Sequence, residues 1–185
     1  MTITIQQISI TDLTTDCIVN AANSRLAQGS GVCGAIFRAA GAQMLQVACD
    51  EIGFCPTGGA VITPGFDLKA KFIVHAVGPI WQGGGKNEPE ALYSSYWQSL
   101  ERARENDCHS IGFPLISAGI FGYPKEQAWE QAIRACRDWI LEHPDYDIGI
   151  VFAVLDRKLL ELGQKVLAKY PLPEILDRAA REEDR

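Results

Sequence analysis

Several signatures of metal and cofactor chemistry are missing from this 185-residue chain. Its six cysteines form no CxxC pair, and its three histidines follow no metal-ligand spacing. Its glycine-rich segments contain neither the lysine signature of a P-loop nor a GxGxxG followed by a ribose-binding acid. We therefore expect no metal and no bound cofactor. A nucleoside triphosphatase and a classical dinucleotide-dependent oxidoreductase are both disfavoured.

Positive charge and long apolar runs are also scarce. Seventeen Lys and Arg residues face 23 Asp and Glu residues, for a net charge of -6. Because affinity for phosphate backbones comes from Lys and Arg, nucleic acid is not an expected partner. One small anion held by backbone N–H groups remains compatible with this charge. No apolar run approaches the roughly 20 residues of a membrane span, and the N-terminus lacks the basic region of a signal peptide. We expect a cytoplasmic protein without membrane association.

The apolar pattern alternates between strand and helix periods along the chain. The stretch "TITIQQISI" predicts a strand near a sheet edge, and "CIVNAA" predicts a buried strand. Later strands alternate with amphipathic helices, which indicates a three-layer α/β/α sandwich with a mixed, mostly parallel central sheet. We expect one domain over residues 1–170 and a short helix or tail over residues 171–185. The segment "WQGGGKNEP" is expected to be a flexible surface connection.

Two glycine-rich loops follow predicted strands and lead into predicted helices. One is "NAANSRLAQGSGVCGA", and the other is "SAGIFGYP", residues 117–124. Ligands of open α/β sheets bind at the carboxyl ends of the strands, and a helix N-terminus offers free N–H groups to an anion. Each loop alone is compatible with a tight turn. Together they predict a binding site for a diphosphate.

Side chains next to these glycines are suited to a sugar. Asn20 and Asn23 can donate and accept the hydrogen bonds that ribose hydroxyls require. Asn20 has an alternative role, in which it only ties the strand end to the loop. Phe121 either lies against the ligand or folds back into the core. His75 lies inside a predicted strand, which is typical of a structural histidine.

Three stretches in order resemble the macrodomain family, whose members bind ADP-ribose and its derivatives. They are "DCIVNAANSRLAQGSGVCGAIFRAAG", "CPTGGAVITPGFDLKAKFIVHAVGPIW" and "FPLISAGIFGYPKEQAWEQAI". The chain looks most like the bacterial and MacroD-type branch, which removes ADP-ribose from acidic side chains and deacetylates O-acetyl-ADP-ribose. The resemblance implies the macrodomain fold, and ADP-ribose or an ADP-ribosylated small molecule or protein as the partner.

The resemblance also implies a role for each matching position. Asn20 and Asn23 would approach the distal ribose, Phe121 would pack near it, and Ile10 would lie beside adenine. The first phosphate loop would comprise Gly29, Ser30, Gly31 and Val32. The second phosphate loop would comprise Ser117, Ala118, Gly119, Ile120, Phe121 and Gly122.

Two positions depart from the family pattern. Relatives usually have an aspartate where this chain has Ser9, and that carboxylate accepts a hydrogen bond from the adenine amino group. A serine accepts the bond without charge, so the interaction is weaker. MacroD-type hydrolases usually also have an aspartate where this chain has Cys33, and that aspartate is credited with activating water.

Three interpretations of the thiol of Cys33 remain open. Cys33 is a small apolar filler, or it takes part in an altered mechanism, or the substrate phosphate and the backbone activate water without it. Two functions follow. The chain either hydrolyses ADP-ribosyl esters in the cleft or is a non-catalytic reader of ADP-ribose or a related nucleotide. A third hypothesis, drift to a different ligand, is less favoured because both loops are retained.

Overall fold

A six-stranded sheet forms the centre of the computed structural model, which describes residues 1–173. Its strand order is β1-β6-β5-β2-β4-β3. The strands are β1 (Thr2–Gln7), β2 (Cys17–Ala21), β3 (Ala60–Pro64), β4 (Phe72–Ala76), β5 (Ser110–Phe113) and β6 (Gly149–Val154). Only the β3–β4 pair is antiparallel among the pairs of this sheet. The predicted mixed, mostly parallel sheet is therefore confirmed.

Within residues 1–173, five α-helices cover the two faces of the sheet. They are α1 (Gly31–Ala40), α2 (Ala42–Ile52), α3 (Glu88–Glu105), α4 (Lys125–Glu142) and α5 (Arg157–Leu167). Side chains of α1 and α2 pack into one apolar cluster, and those of α3, α4 and α5 pack into a second cluster on the opposite face. The three-layer α/β/α sandwich expected from the sequence is confirmed.

The position of each strand in the sheet agrees with its apolar pattern. β1 lies at an edge and alternates exposed and more buried residues, as "TITIQQ" predicts. β2 lies between β5 and β4, and its first four residues are buried, because helices cover both faces of an inner strand. The chain enters the candidate loops directly from this buried strand.

Helices α1 and α2 are separated by a sharp break. Gly41, between them, has a φ of 101°, a conformation that glycine adopts without steric cost. The axes of the two helices differ by 110°. Within residues 1–173 no single helix is long and apolar enough to cross a membrane, although this bent pair meets those criteria of length and composition together.

The segment before α3, expected to be a flexible connection, instead wraps around a carboxylate. Glu88 is only 2% exposed, and it accepts hydrogen bonds from the backbone N–H groups of Gln82, Gly84 and Lys86. The sequence signal was misleading because three consecutive glycines indicate flexibility when the buried acceptor that orders them is not recognised.

The C-terminal end of the described chain follows α5. Asp156 caps this helix by accepting a hydrogen bond from the backbone N–H of Lys158 at 2.7 Å. Residues 171–173 have no regular secondary structure. The expected short helix or tail beyond them lies outside the described residues, and the domain boundary at residue 170 stays a prediction.

Candidate functional site

A cleft of about 730 Å³ opens at the carboxyl ends of the parallel strands. Segments that follow β1, β2, β4, β5 and β6 all contribute to its walls. This position follows from the topology, since loops at the carboxyl ends of parallel strands meet along one edge of the sheet. The cleft is large enough for a nucleotide-sized ligand.

Most of the predicted site residues line this one cleft. They are Ser9, Ile10, Asn23, Gly29, Ser30, Gly31, Val32, Cys33, Ser117, Ala118, Gly119, Ile120 and Phe121. Gly122 lies next to the wall without lining it, and Asn20 lies behind it. The structure therefore brings together residues that are more than 100 positions apart in the chain.

The first glycine-rich loop ends at the N-terminus of α1. Ser30 occupies the N-cap position, but its side chain makes no capping hydrogen bond, and the first turn contains no acidic residue. The first N–H groups of a helix have no partner within the helix. Close packing holds the loop there, since a Cβ on Gly34 would lie 2.7 Å from the carbonyl oxygen of Gly29. An uncapped helix N-terminus of this kind favours an anion.

The second loop holds a buried hydroxyl against the cleft. Ser117 has a φ of 66°, which is uncommon outside glycine, and is only 6% exposed. Its Oγ has no hydrogen-bond partner among the described residues. The loop passes so close to Gly78 that a Cβ there would lie 2.2 Å from this Oγ. A strained residue with an unpaired hydroxyl is typical of a ligand-binding loop.

Phe121 lies at the edge of the same loop. It is partly exposed, lines the cleft and belongs to neither core cluster. Its carbonyl oxygen accepts a hydrogen bond from the backbone N–H of Trp81 at 2.8 Å. Trp81 directly precedes the segment organised by Glu88, so this bond joins that segment to the second loop.

The two predicted asparagines have different surroundings. Asn23 lines the cleft, and its side chain exchanges hydrogen bonds with the backbone N–H and carbonyl of Ala27, at 3.1 and 2.9 Å. Asn20 is 1% exposed, and its amide nitrogen contacts Nδ1 of His75 at 3.1 Å and Sγ of Cys33 at 3.7 Å. Asn23 therefore lies at the cleft surface and Asn20 behind it, and the approach of both to a ribose stays a prediction.

Cys33 lies in the first turn of α1 with its sulfur between two polar groups. The sulfur accepts the contact from Asn20 and lies 3.9 Å from the carbonyl oxygen of Ala27, to which the thiol donates. Its residue is only 6% exposed, yet it lines the cleft. The thiol is therefore a hydrogen-bonded part of the wall.

The end of the cleft near β1 contains the second departure from the family pattern. Ser9 precedes a 3₁₀ helix, Ile10–Asp12, and its Oγ lies 3.0 Å from Oγ1 of Thr11. The Oγ therefore already shares a hydrogen bond with a neighbour. Asp12 is exposed and does not line the cleft, so it does not replace the missing carboxylate.

Charged side chains are almost excluded from this cleft. Among the described residues that line it, Asp156 alone is charged. No group of three or more His, Cys, Asp or Glu residues within positions 1–173 is arranged to hold a metal ion. Backbone N–H groups and a few neutral side chains therefore provide the polar contacts for a ligand.

Sequence comparison agrees with this arrangement of loops. A family model described as "Macro domain" matches residues 19–132, which include both glycine-rich loops. The chain belongs to the macrodomain family. A macro domain-containing protein from Chlorobaculum tepidum is 48% identical over 159 residues, covering 86% of this chain and 91% of that relative. An O-acetyl-ADP-ribose deacetylase from Klebsiella pneumoniae is 43% identical over 166 residues, covering 88% of this chain and 94% of that enzyme.

Solved macrodomain structures have the same fold. The Oceanobacillus iheyensis macrodomain with ADP superposes with a TM-score of 0.82 at 37% identity, covering 89% of each chain. The Trypanosoma brucei macrodomain in complex with ADP-ribose also gives a TM-score of 0.82, at 35% identity, covering 88% of this chain and 68% of that one. The predicted family is therefore confirmed, and structures similar to this macrodomain contain ADP or ADP-ribose.

Sequence reasoning missed several positions of the cleft, among them one glycine and two residues that follow β6. Leu155 and Asp156 follow β6 and line the end near Ser9, with Leu155 72% exposed. Gly78 lines the cleft after β4. A usable signal existed for the first two, because "VLDRK" ends a predicted buried strand and Asp is a preferred helix N-cap. Gly78 could be recognised only from its approach to Ser117.

Proposed function

We propose that this macrodomain binds ADP-ribose or an ADP-ribose derivative between its two glycine-rich loops. The observation that supports this most directly is the pairing of two anion-suited elements across one cleft. On one side lies the uncapped N-terminus of α1, and on the other lies the loop with the unpaired hydroxyl of Ser117. A diphosphate matches both, since its oxygens accept hydrogen bonds from N–H and O–H groups.

The walls of the cleft suggest the orientation of the ligand. Adenine would lie at the apolar end formed by Ile10 and Leu155, with Ser9 near its amino group. The second ribose would lie at the other end, near Asn23 and Phe121. This orientation agrees with the family resemblance and leaves the diphosphate between the loops.

Binding without rapid hydrolysis fits the side chains of the cleft best. Among the described residues that line the cleft, only Asp156 is charged. Its carboxylate caps α5 and lies at the end assigned to adenine, away from the second ribose. Cys33 occupies the position where hydrolases of this family usually have an aspartate. A general base must be within hydrogen-bond reach of the water that it activates. A reader of ADP-ribose is therefore the first candidate.

Hydrolysis of ADP-ribosyl esters is the second candidate. The substrates would be ADP-ribosylated protein or O-acetyl-ADP-ribose. The similarity of this chain to the deacetylase from Klebsiella pneumoniae supports this chemistry. In that case the substrate phosphate and backbone groups would orient water without a carboxylate. We expect such turnover to be slow.

Titration calorimetry with ADP-ribose, ADP and AMP tests the proposed binding. We expect saturable one-to-one binding of ADP-ribose. The affinity should be lower for ADP, which lacks the second ribose, and lower still for AMP, which also lacks a phosphate. Failure of ADP-ribose to bind a folded sample would contradict the proposal. A turnover assay on O-acetyl-ADP-ribose and on ADP-ribosylated protein then distinguishes the reader from the hydrolase.

A further inference from the structure

A chain of hydrogen bonds lies behind the first loop, and its donors and acceptors can be assigned. The hydroxyl of Thr63 donates to the carbonyl oxygen of Pro64 at 3.1 Å, so its oxygen accepts from Nε2 of His75 at 2.9 Å. Sγ of Cys49 lies 3.9 Å from the same Nε2, and a thiol sulfur can act as a second, weaker acceptor there. A neutral imidazole that donates through Nε2 accepts through Nδ1. Asn20 must therefore turn its amide nitrogen to Nδ1, 3.1 Å away.

The sheet itself sets up this chain. Asn20 on β2 and His75 on β4 are direct register partners, and Thr63 belongs to β3 on the far side of β4. The exposed fractions of Asn20, Thr63 and His75 are 1%, 3% and 0%. Burial also lowers the pKa of His75 to about 4, which keeps the imidazole neutral near neutral pH. The amide of Asn20 is consequently held in one orientation.

From Asn20 the series of hydrogen bonds continues to the wall of the cleft. Its amide nitrogen has a second hydrogen, and Sγ of Cys33 lies 3.7 Å from that nitrogen. Oδ1 of Asn20 is buried and has no partner among the described residues. The residues that follow it, Ala21, Ala22 and Asn23, all line the cleft.

We infer that Thr63 and His75 are positioning residues for the end of the cleft that takes the second ribose of ADP-ribose. They fix the amide of Asn20, which contacts Cys33 in the cleft wall and carries a buried acceptor oxygen that has no partner among the described residues. The inference rests on the proposed binding of ADP-ribose. Because Asn20 is buried behind the wall, an ordered water that also binds a ribose hydroxyl supplies the donor that this oxygen lacks.

A purely structural role does not account for these three residues. Apolar side chains of similar size would fill the same space between the strands without any polar group to satisfy. A buried polar atom without a partner costs about 1–3 kcal/mol, and the chain accepts this cost at Oδ1 of Asn20. Such an unpaired atom next to a ligand cleft is the feature expected of a site that the ligand completes.

The ratio of the dissociation constants of ADP-ribose and ADP reports the contribution of the second ribose to binding. The dissociation constants of both are measured by calorimetry for the wild type, His75→Leu, Thr63→Val and Ser99→Ala. We expect His75→Leu to weaken ADP-ribose binding about fivefold, the size of one net hydrogen bond, and to leave ADP binding unchanged. Thr63→Val should change the same ratio in the same direction by a smaller factor. Ser99→Ala removes a buried hydroxyl from α3 and should change neither ligand.

A double-mutant cycle tests whether His75 acts through Asn20. In an Asn20→Ala background, His75→Leu should have no further effect on the ratio of the two dissociation constants. His75→Asn, whose oxygen falls near the place of Nδ1, should retain most of the wild-type ratio. Additive effects, or equal losses for ADP and ADP-ribose in His75→Leu, would overturn the inference.

Two readouts separate this inference from the proposed function. If the wild type binds ADP-ribose and His75→Leu leaves its preference over ADP unchanged, the positioning role is wrong and the proposed function stands. If the wild type fails to bind ADP-ribose, both are wrong. Nitrogen NMR of the imidazole gives a test without ligand, because the hydrogen-bond chain requires the tautomer protonated at Nε2. Observation of the Nδ1-protonated tautomer would overturn the inference by itself.

Discussion

Asn20 and His75 face each other across neighbouring parallel strands, with the amide nitrogen 3.1 Å from Nδ1 of the imidazole. This contact joins the centre of the sheet to the wall of the cleft, because the same nitrogen also contacts Cys33. It requires a neutral imidazole, since a protonated ring would present a hydrogen to the amide nitrogen. Stability and pH are therefore linked through His75.

The first prediction is a pH-dependent loss of stability. Burial lowers the pKa of His75 from 6.5 to about 4, so between these values the unfolded chain binds a proton that the folded chain does not. The free energy of unfolding should fall as the pH drops from 6.5 to 4, by about 1.4 kcal/mol per pH unit, or roughly 3 kcal/mol in all. Denaturant titrations of the wild type and His75→Asn across this window measure the effect.

His109 provides an internal control for that prediction. Hydrogen bonds to the carbonyl of Asp147 and to Asp107 raise the pKa of His109, the former being the larger effect. An NMR titration should therefore show His109 protonating above pH 6.5 while His75 remains neutral down to about pH 4. Protonation of His75 near pH 6.5 in the folded protein would contradict the account.

Ser9→Asp should tighten adenine recognition. A carboxylate at this position can accept a hydrogen bond from the adenine amino group, and the gain should be about 1 kcal/mol, or about fivefold in the dissociation constant of ADP. Guanine has a carbonyl oxygen at the corresponding place, so GDP should not gain. Calorimetry with both nucleotides makes the comparison. Equal changes for ADP and GDP would show that Ser9 does not lie near the amino group.

Cys33→Asp should increase hydrolysis of ester-linked ADP-ribose. The new carboxylate would lie in the first turn of α1, where negative charge is favourable, and could accept from Nδ2 of Asn20 in place of the sulfur. A general base typically contributes about 10²- to 10⁴-fold in rate, so turnover should rise by that order while the affinity for ADP-ribose changes little. Single-turnover assays under reducing conditions measure the rate.

Cys33→Ala is the matched control for that experiment. If the thiol only fills the wall, the slow natural rate should remain about where it is. Loss of a robust natural activity in Cys33→Ala would instead place the thiol in the mechanism and contradict the interpretation of Cys33 as a wall residue.

Glu88→Gln should loosen the segment that is joined to the second loop. Burial by itself raises the pKa of Glu88, but hydrogen bonds from the backbone N–H groups of Gln82, Gly84 and Lys86 lower it below its ordinary value. The glutamine side chain has an NH₂ group in place of one carboxylate oxygen, and this donor cannot accept a hydrogen bond from a backbone N–H. Trypsin should then cleave after the exposed Lys86 faster than in the wild type. Glu90→Gln changes an exposed carboxylate in the same helical turn and should not affect cleavage.

Protonation of Glu88 should have a similar effect to its substitution. Because its folded-state pKa is lowered, its contribution to stability is present above the ordinary pKa of 4.5 and is lost as the pH falls through the folded-state value. Proteolysis at Lys86 by an acid-tolerant enzyme should accelerate at low pH in the wild type more than in Glu88→Gln. If neither Glu88→Gln nor low pH changes the rate of cleavage, the carboxylate does not order the segment.

The sequence predicted the sheet and the cleft from local patterns. Buried β-branched strands such as "CIVNAA", followed by glycine-rich turns, indicate a parallel sheet with loops at one edge, and the structure has both. Asn20 shows where this reasoning ends. Its neighbour Asn23 lines the cleft, whereas Asn20 is buried, because strand register places it against His75, 55 positions away. Register and tertiary hydrogen bonds of this kind are not present in local residue patterns.

Ligand binding by Gly119→Glu tests the central claim most directly. Among the described residues, nothing lies within 4 Å of a Cβ built at Gly119, so the glutamate should be accommodated in the fold while it fills the diphosphate space with negative charge. Gly85→Glu is the matched control, because that exposed glycine also has open space and lies outside the cleft. With both variants melting like the wild type, Gly119→Glu should show no detectable ADP-ribose binding and Gly85→Glu should bind normally. Unchanged affinity in folded Gly119→Glu would contradict the placement of the ligand between the two loops.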